Sequence, residues 1–201
     1  MEKEQREQNR LLKNTFMFIG AILLGFVLYF VFLNYLNSFD YKGVDFNINK
    51  NEVKGMTLYQ TSVPVITSGG ETRDYNFYLR EDPRELEKKV IINDEIVFRK
   101  NLILDVTTEN LFCGGDWNYF QLQLQNLEIF DIRLFSNNKS IEYEPTQNYM
   151  FITINEGNTT EINNVGGNYY EANVSNCEIA SVADRLLLEA IVINNEKYSE
   201  E

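Results

Sequence analysis

The sequence of 201 residues contains no histidine. This absence excludes a Ser-His-Asp triad, a Cys-His dyad and metal sites built on imidazole. Only two cysteines are present, Cys113 and Cys177, and their separation excludes a C-x-x-C redox or zinc motif. In an oxidising compartment such a pair predicts one disulfide, whereas in a reducing cytosol the two residues would be buried free thiols. The Cys113–Cys177 disulfide is therefore predicted on the condition that its domain faces outward.

Basic residues are scarce relative to acidic ones, with 18 Lys and Arg against 30 Asp and Glu and a net charge of −12. The first 15 residues contain four of the bases and three of the acids, so the rest of the chain carries a net charge of −13. This charge argues against a nucleic-acid partner and against lying on an anionic membrane surface. It is typical of a solvated acidic surface, with a basic partner or divalent cations as the alternative. We expect no cofactor and no metal.

Charges are absent from residues 16–33, which read FMFIGAILLGFVLYFVFL. As a helix this run is roughly 27 Å long, or roughly 32 Å when extended to residue 36, close to the hydrocarbon thickness of a bilayer. It lacks the polar face of a buried core helix, and it is longer than the apolar region of a cleavable signal peptide. The sequence therefore predicts a tail over residues 1–15, a helix that inserts in the lipid bilayer over 16–36, and one domain over 37–201.

Lys and Arg residues near the two ends of this helix predict its orientation. Four bases precede the helix, and three follow it at Lys42, Lys50 and Lys54. The positive-inside rule then places the tail in the cytoplasm and the domain outside the cell, as in a single-pass signal-anchor protein. Ala21 and Gly25 lie four residues apart, a spacing that allows two helices to dimerise closely, although small residues are also common in membrane helices generally.

Beyond residue 36 the hydrophobic residues mostly alternate, as in half-buried strands. Val44, Phe46 and Ile48 are the first example. Turns are expected at 49–52 and 68–70, and Pro64 is expected to break a strand. Further strands are expected at 56–61, 74–80, 90–92, 96–98, 102–106, 149–155 and 169–175. The fold class is therefore α+β and β-rich, with mainly antiparallel strands and one or two helices.

Two segments carry helix signals. Asp82 before Pro83 predicts a capped helix over 83–89. Residues 117–130 fit a helix through Phe120, Leu124 and Leu127, or a strand that alternates with glutamines. We expect a helix because the segment is long and follows a possible cap at Asp116.

The C-terminal part contains a Ser-x-x-Asp capping box at Ser181 and Asp184. The run that follows, 186–193, is compatible with a helix or a strand. Its Val and Ile residues favour a strand at its end.

Three N-x-S/T sequons begin at Asn138, Asn158 and Asn173, which are candidate glycosylation sites. The chain contains 25 asparagines, so chance alone would produce about two or three such sequons. They are compatible with an extracellular glycoprotein and do not establish one.

The overall pattern is similar to that of single-span proteins predicted from metagenomes of small-genome archaea. The resemblance extends over nearly the whole chain and rests on these segments: Asn-Ser-Phe-Asp-Tyr-Lys-Gly at 37–43, Tyr75-Asn-Phe-Tyr-Leu-Arg-x-Asp-Pro-Arg84, Cys113, Glu156-Gly-Asn-x-Thr160 and Asn176-Cys-Glu178. It implies a cell-membrane protein with an outward-facing domain. It implies no activity, cofactor or site residue.

The function expected from the residues is that of a cell-surface interaction or accessory protein rather than an enzyme, with a protein partner at the cell surface. One alternative is an extracytoplasmic hydrolase that uses carboxylates, since acids are abundant. Asp116 beside Trp117 would suit sugar binding, although a turn beside a disulfide explains the pair equally well. Another alternative is a ligand-binding sensor. The 15-residue tail argues against it, because a tail of this length is too short to form an output domain.

Overall fold

The computed structural model describes residues 2–53, 55–66, 70–111, 113–136 and 148–199. The chain forms two compact units, Met1–Phe39 and Asp40–Glu201. The first unit consists of one long helix, α1 (Glu2–Asn37), and the start of strand β1 (Ser38–Tyr41). The second contains two sheets and three further α-helices, so the predicted α+β class is confirmed.

Helix α1 contains one segment, Leu12–Leu33, that is long and apolar enough to cross a membrane. Its large side chains are exposed, with Phe18 at 68% and Phe30 at 65%. Exposure of so many apolar side chains would be strongly unfavourable in water, and the length of the segment matches the hydrocarbon core of a bilayer. This segment overlaps the predicted span 16–36. Apart from the adjoining backbone of α1, no described residue lies within 4 Å of a Cβ placed at Gly25.

The first sheet has four strands in the order β1-β2-β3-β4. After β1 come β2 (Val44–Val53), β3 (Met56–Ile66) and β4 (Thr72–Leu79), and β3 pairs antiparallel with both of its neighbours. The expected turn at 49–52 is wrong, because β2 continues to Val53. The expected break at Pro64 is also wrong, since β3 runs to Ile66.

Proline is accepted at position 64 because β3 has a strand on only one side there. The register with β2 ends at Thr61, whereas Pro64 lies opposite Asp74 of β4. A missing N–H is tolerated at such an edge position. The Pro64 carbonyl accepts a 3.0 Å hydrogen bond from the Asn194 side-chain amide.

The second sheet has six strands in the order β5-β9-β10-β8-β6-β7. Only β9 and β10 pair antiparallel, and the other four pairings are parallel. The expected antiparallel pairing therefore holds in the first sheet and in one hairpin of the second. The expected strand at 96–98 is absent. The strands are β5 (Ile91–Ile92), β6 (Asn101–Val106), β7 (Arg133–Ser136), β8 (Tyr149–Glu156), β9 (Glu161–Gly166) and β10 (Tyr169–Val174).

In the described part of the domain three α-helices accompany the sheets, one more than the upper limit expected from the sequence. They are α2 (Pro83–Lys89), α3 (Asp116–Gln125) and α4 (Ile179–Ser199). The Asp82 cap is confirmed, because its side chain accepts from the Arg84 backbone N–H. The helix expected over 117–130 is confirmed as α3 followed by a 3-10 turn, Asn126–Phe130. The N-cap of α3 is Gly115 rather than Asp116.

Helix α4 is the centre of the domain. The strand expected at the end of 186–193 is wrong, because this run lies inside a 21-residue helix. Its apolar residues are buried on every side of the helix, including Val182, Leu187 and Ile191. Helix α4 contacts β2 and β3 of the first sheet, β10 of the second, and α2 and α3. A helix that packs on all sides is apolar all round, and this burial outweighs the strand preference of Val and Ile.

Gly157, in the turn between β8 and β9, is required by close packing. A Cβ added there would lie 2.8 Å from Asn173 Cβ and 3.3 Å from the Thr159 carbonyl oxygen. We expect Gly157→Ala to lower the free energy of unfolding by about 1–3 kcal/mol, because strand β10 must shift to relieve this overlap. Urea unfolding measures the change. Gly115→Ala, where the added Cβ meets nothing within 4 Å, is the control and should cost less; equal losses would contradict this explanation.

Candidate functional site

The disulfide joins the two loops that lead into α3 and α4. Cys113 and Cys177 are bonded with an S–S distance of 2.03 Å and a Cα–Cα distance of 5.8 Å. Cys113 precedes α3 and Cys177 precedes α4, so the bridge ties the beginnings of two packed helices together. The predicted pair thus lies at disulfide-bonding distance.

The three sequons differ in their surroundings. Asn138 lies outside the described residues. Asn158 is exposed at the bend between β8 and β9, where a glycan would meet solvent. Asn173 is half-buried within β10, between β8 and β9. Glycosylation of any of them stays a prediction.

A buried polar cluster surrounds Asp184 of α4, whose exposed fraction is 1%. Its carboxylate accepts hydrogen bonds from the Tyr119 hydroxyl at 2.5 Å, the Gln123 side-chain amide at 2.7 Å and the Arg80 backbone N–H at 3.0 Å. The Gln123 amide also donates to the Tyr78 carbonyl at 2.7 Å. The cluster therefore ties the end of β4 to α3 and α4. The capping role expected for Asp184 is wrong, because α4 begins at Ile179.

Burial dominates the electrostatics of this cluster. Loss of solvation raises the pKa of Asp184 from its ordinary 3.8 to about 6, although hydrogen bonds from Tyr119 and Gln123 oppose the rise. Burial, followed by the negative charge of Asp184, raises the pKa of Tyr119 far above its usual range, so the phenol stays protonated. The Arg80 guanidinium lies 3.6 Å from the centre of the Tyr119 ring and 3.2 Å from Asp116.

Other buried polar groups of α4 are also paired within the domain. Arg185, with 4% of its side chain exposed, contacts Glu189 and donates to the Val90 carbonyl at 3.3 Å. The Ser181 hydroxyl donates to Glu81 rather than capping α4, which is a second failure of the expected capping box. These contacts attach α4 to α2 and its flanking loops.

A cleft lies between α3 and the C-terminal halves of β6 and β7, and we call it the α3 cleft. Because β6 and β7 are parallel, their carboxyl ends meet at one edge of the sheet, where ligands often bind in parallel sheets. The cleft has a volume of about 310 Å³, at the small end of ligand sites. It is lined by Leu104, Asp105, Val106, Trp117, Phe120, Gln121, Leu124, Gln125, Leu134 and Phe135.

Most of the side chains that line the α3 cleft are aromatic or aliphatic, and the others are Asp105, Gln121 and Gln125. Trp117, the only tryptophan of the chain, stacks on Phe120 with ring centres 5.2 Å apart. Phe135 is 42% exposed on β7, which is the edge strand and pairs only with β6 among the described residues. This combination of an exposed apolar surface and an edge strand is typical of a place where another molecule docks.

Among the described residues, Asp105 is the one ionisable group that lines the α3 cleft. It is half-buried, its backbone pairs with Thr153 of β8, and its side chain makes no hydrogen bond or ion pair with a described residue. Asp116, by contrast, forms an ion pair with Arg80 beside the disulfide loop. This ion pair explains the position of Asp116 without the sugar-binding role that its place beside Trp117 suggested. The sequence provided one signal for this cleft, the single tryptophan at the start of α3.

A second cleft of about 540 Å³ is polar and lies beside α4. Its carboxylates include Glu87, 2.8 Å from Lys42, and Glu189, which contacts Arg185. The hydrogen bond from Lys42 lowers the pKa of Glu87 and keeps it ionised, which is the opposite of what a general acid requires. Among the residues described, no group of three or more Cys, Asp or Glu is placed to hold a metal ion.

Comparisons with known proteins add no relative. No protein-family model matches the sequence, and no curated protein and no solved structure matches it.

Proposed function

We propose that this chain is a single-pass membrane protein of the cell surface, and that its extracytoplasmic domain binds a protein partner through the α3 cleft. The observation that carries the proposal is the cleft itself, a largely apolar surface at a sheet edge with one carboxylate that is unpaired among the described residues. Helix α1 supports the anchor because the segment Leu12–Leu33 is apolar and none of its residues is buried. The disulfide supports an outward-facing domain, because such bonds persist in oxidising compartments.

A hydrolase has less support. Glycosidase-like chemistry needs two carboxylates that face one cleft, one of them with a raised pKa. Among the described residues that line the α3 cleft, Asp105 is the only carboxylate. Asp184 has the raised pKa, but it is buried and does not line either cleft described here.

Orientation is tested by labelling thiols in intact cells with a membrane-impermeant maleimide. We expect no labelling at first, and labelling of Cys113 and Cys177 after an impermeant phosphine has reduced the disulfide, because both groups would face outward. Labelling that requires permeabilised cells and no reductant would place the domain in the cytosol and contradict the proposal.

Partner binding is tested by placing a photo-crosslinking amino acid at Gln121, an exposed residue that lines the cleft. Illumination of intact cells should produce one discrete adduct by mass. The same amino acid at Asp94, exposed and outside the cleft, is the control and should not produce that adduct. No adduct at position 121, or the same set of adducts at both positions, would argue against a partner at this cleft.

A further inference from the structure

We propose that the partner segment held by the α3 cleft is cationic, with an arginine that pairs with Asp105 beside an apolar side chain that packs in the cleft. This inference rests on the proposed function and specifies the chemistry of the partner. It follows from one feature, namely a carboxylate that has no charge partner among the described residues and that lines a cleft whose other side chains are apolar or glutamine.

The position of Asp105 explains why a cation is favoured. Its neighbours along β6, Leu104 and Val106, are apolar and line the same cleft, as does Leu134 on β7. A carboxylate beside such groups loses solvation when a ligand covers it, and an unpaired charge would then oppose binding. A cation removes this cost, whereas a neutral or acidic partner would leave the charge buried and unpaired.

Arginine fits better than other cations on two grounds. Its guanidinium is planar, forms bidentate hydrogen bonds with a carboxylate and is weakly hydrated, so it tolerates a partly apolar site. Its aliphatic stem can lie along apolar walls such as those formed by Leu104 and Leu134. The aromatic side chain of Trp117 in the same cleft favours a guanidinium further.

Charge complementarity favours a basic partner over a second copy of this chain. Residues 16–201 carry a net charge of −13, so two such domains repel each other. A basic segment is instead attracted from a distance before it reaches the cleft, and Asp105 then determines where its arginine binds. Because Asp105 is half-buried and its side chain makes no hydrogen bond or ion pair with a described residue, replacing its carboxylate by an amide should not disturb the fold.

The single tryptophan provides a direct readout, because any ligand in the cleft changes the surroundings of Trp117 and of no other indole. The probe is an acetylated, amidated pentapeptide, Leu-Arg-Leu-Arg-Leu, added to the full chain in zwitterionic detergent micelles. We expect a saturable change in the fluorescence of Trp117 when it is excited at the long-wavelength edge of its absorption band, where tyrosine does not absorb. The same peptide with glutamine in place of each arginine should bind about tenfold more weakly or worse, because it leaves Asp105 unpaired.

Variants assign the effect to Asp105. Asp105→Asn should weaken binding of the arginine peptide about tenfold. Asp94→Asn, an exposed acid outside the cleft with the same change in net charge, should leave binding unchanged. Gln121→Lys, at an exposed cleft position, should weaken binding by repulsion and serves as an independent check on the Asp105 variant.

Three results would overturn the inference. Equal weakening by Asp105→Asn and Asp94→Asn would mean that the peptide binds by diffuse attraction to an acidic surface. Equal binding of the glutamine peptide would mean that the cleft recognises apolar groups alone. No change in Trp117 fluorescence with the arginine peptide would reject a cationic segment, while the crosslinking experiment at Gln121 would still decide separately whether the cleft binds any partner.

Discussion

Serine at both Cys113 and Cys177 is expected to lower the free energy of unfolding of the domain by about 4 kcal/mol. The bridge closes a loop between residues 64 positions apart, and in the chain-entropy model a loop of this length restricts the unfolded chain by about that amount. For a domain of this size the melting temperature should fall by about 8–16 °C. The effect is large because the bridge joins the segments that precede α3 and α4, which pack against each other in the native state.

Thermal unfolding followed by near-ultraviolet circular dichroism measures this loss in detergent micelles, where Trp117 and the tyrosines report tertiary packing. Wild-type protein treated with a reductant is the matched control, since it should melt at the temperature of the double serine variant. A loss well below 2 kcal/mol would show that the packing of α3 on α4 restricts the chain without the bridge, and would contradict the chain-entropy argument.

The second large effect concerns pH and Asp184. Its pKa is about 6 in the folded protein, against an ordinary value of 3.8, because the carboxyl group is buried. Between these two pH values the folded state binds more protons than the unfolded state, so the contribution of Asp184 to stability falls as the pH rises. The contribution is fully present below pH 3.8 and is lost as the pH passes about 6. This rise in the pKa of Asp184 corresponds to about 3 kcal/mol of unfolding free energy, at roughly 1.4 kcal/mol for each pH unit.

Asp184→Asn removes this dependence because an amide does not titrate in the range. Other carboxylates also affect stability, so the quantity to follow is the difference in unfolding free energy between variant and wild type. We expect this difference to shift in favour of the variant by roughly 2 kcal/mol between pH 4 and pH 7, because part of the contribution is already lost at pH 4. At low pH the variant should be the less stable protein, because its amide nitrogen cannot accept the hydrogen bond from the Arg80 backbone N–H.

Asp94→Asn, an exposed acid, serves as the control for a change in net charge and should show a much smaller pH dependence. A difference that stays constant from pH 4 to pH 7 would mean that the three hydrogen bonds to Asp184 offset the cost of burying its charge. In that case the cluster would contribute the same stabilising free energy at every pH in this range.

Local signals in the sequence predicted the features that depend on local chemistry. The apolar run at 16–33 predicts a long helix without reference to the rest of the chain, because its length and lack of polar groups suffice. Asp82 before Pro83 predicts the start of α2, since the cap hydrogen bond is made within three residues. The disulfide followed from counting, as two cysteines allow only one pairing.

The wrong predictions of secondary structure and capping concern residues whose conformation depends on partners distant in the sequence. Residues 186–193 have strand-forming side chains, yet they form a helix because both sheets and two helices bury them. Ser181 and Asp184 have the spacing of a capping box, but their side chains bond to Glu81, Tyr119 and Gln123. Pro64 was expected to end a strand, and only the register of β2 shows why it does not.

The sequence by itself determined a long apolar helix followed by an acidic, β-rich domain with one disulfide, because composition, periodicity and cysteine count are properties of the chain. Only the tertiary structure decided the parallel pairing of β6 and β7, and with it the cleft that brings Asp105 near Trp117. Pairing between strands depends on which surfaces α4 and α3 bury, which no short window of sequence contains. The candidate site is a product of that packing, and it therefore became visible only in the folded chain.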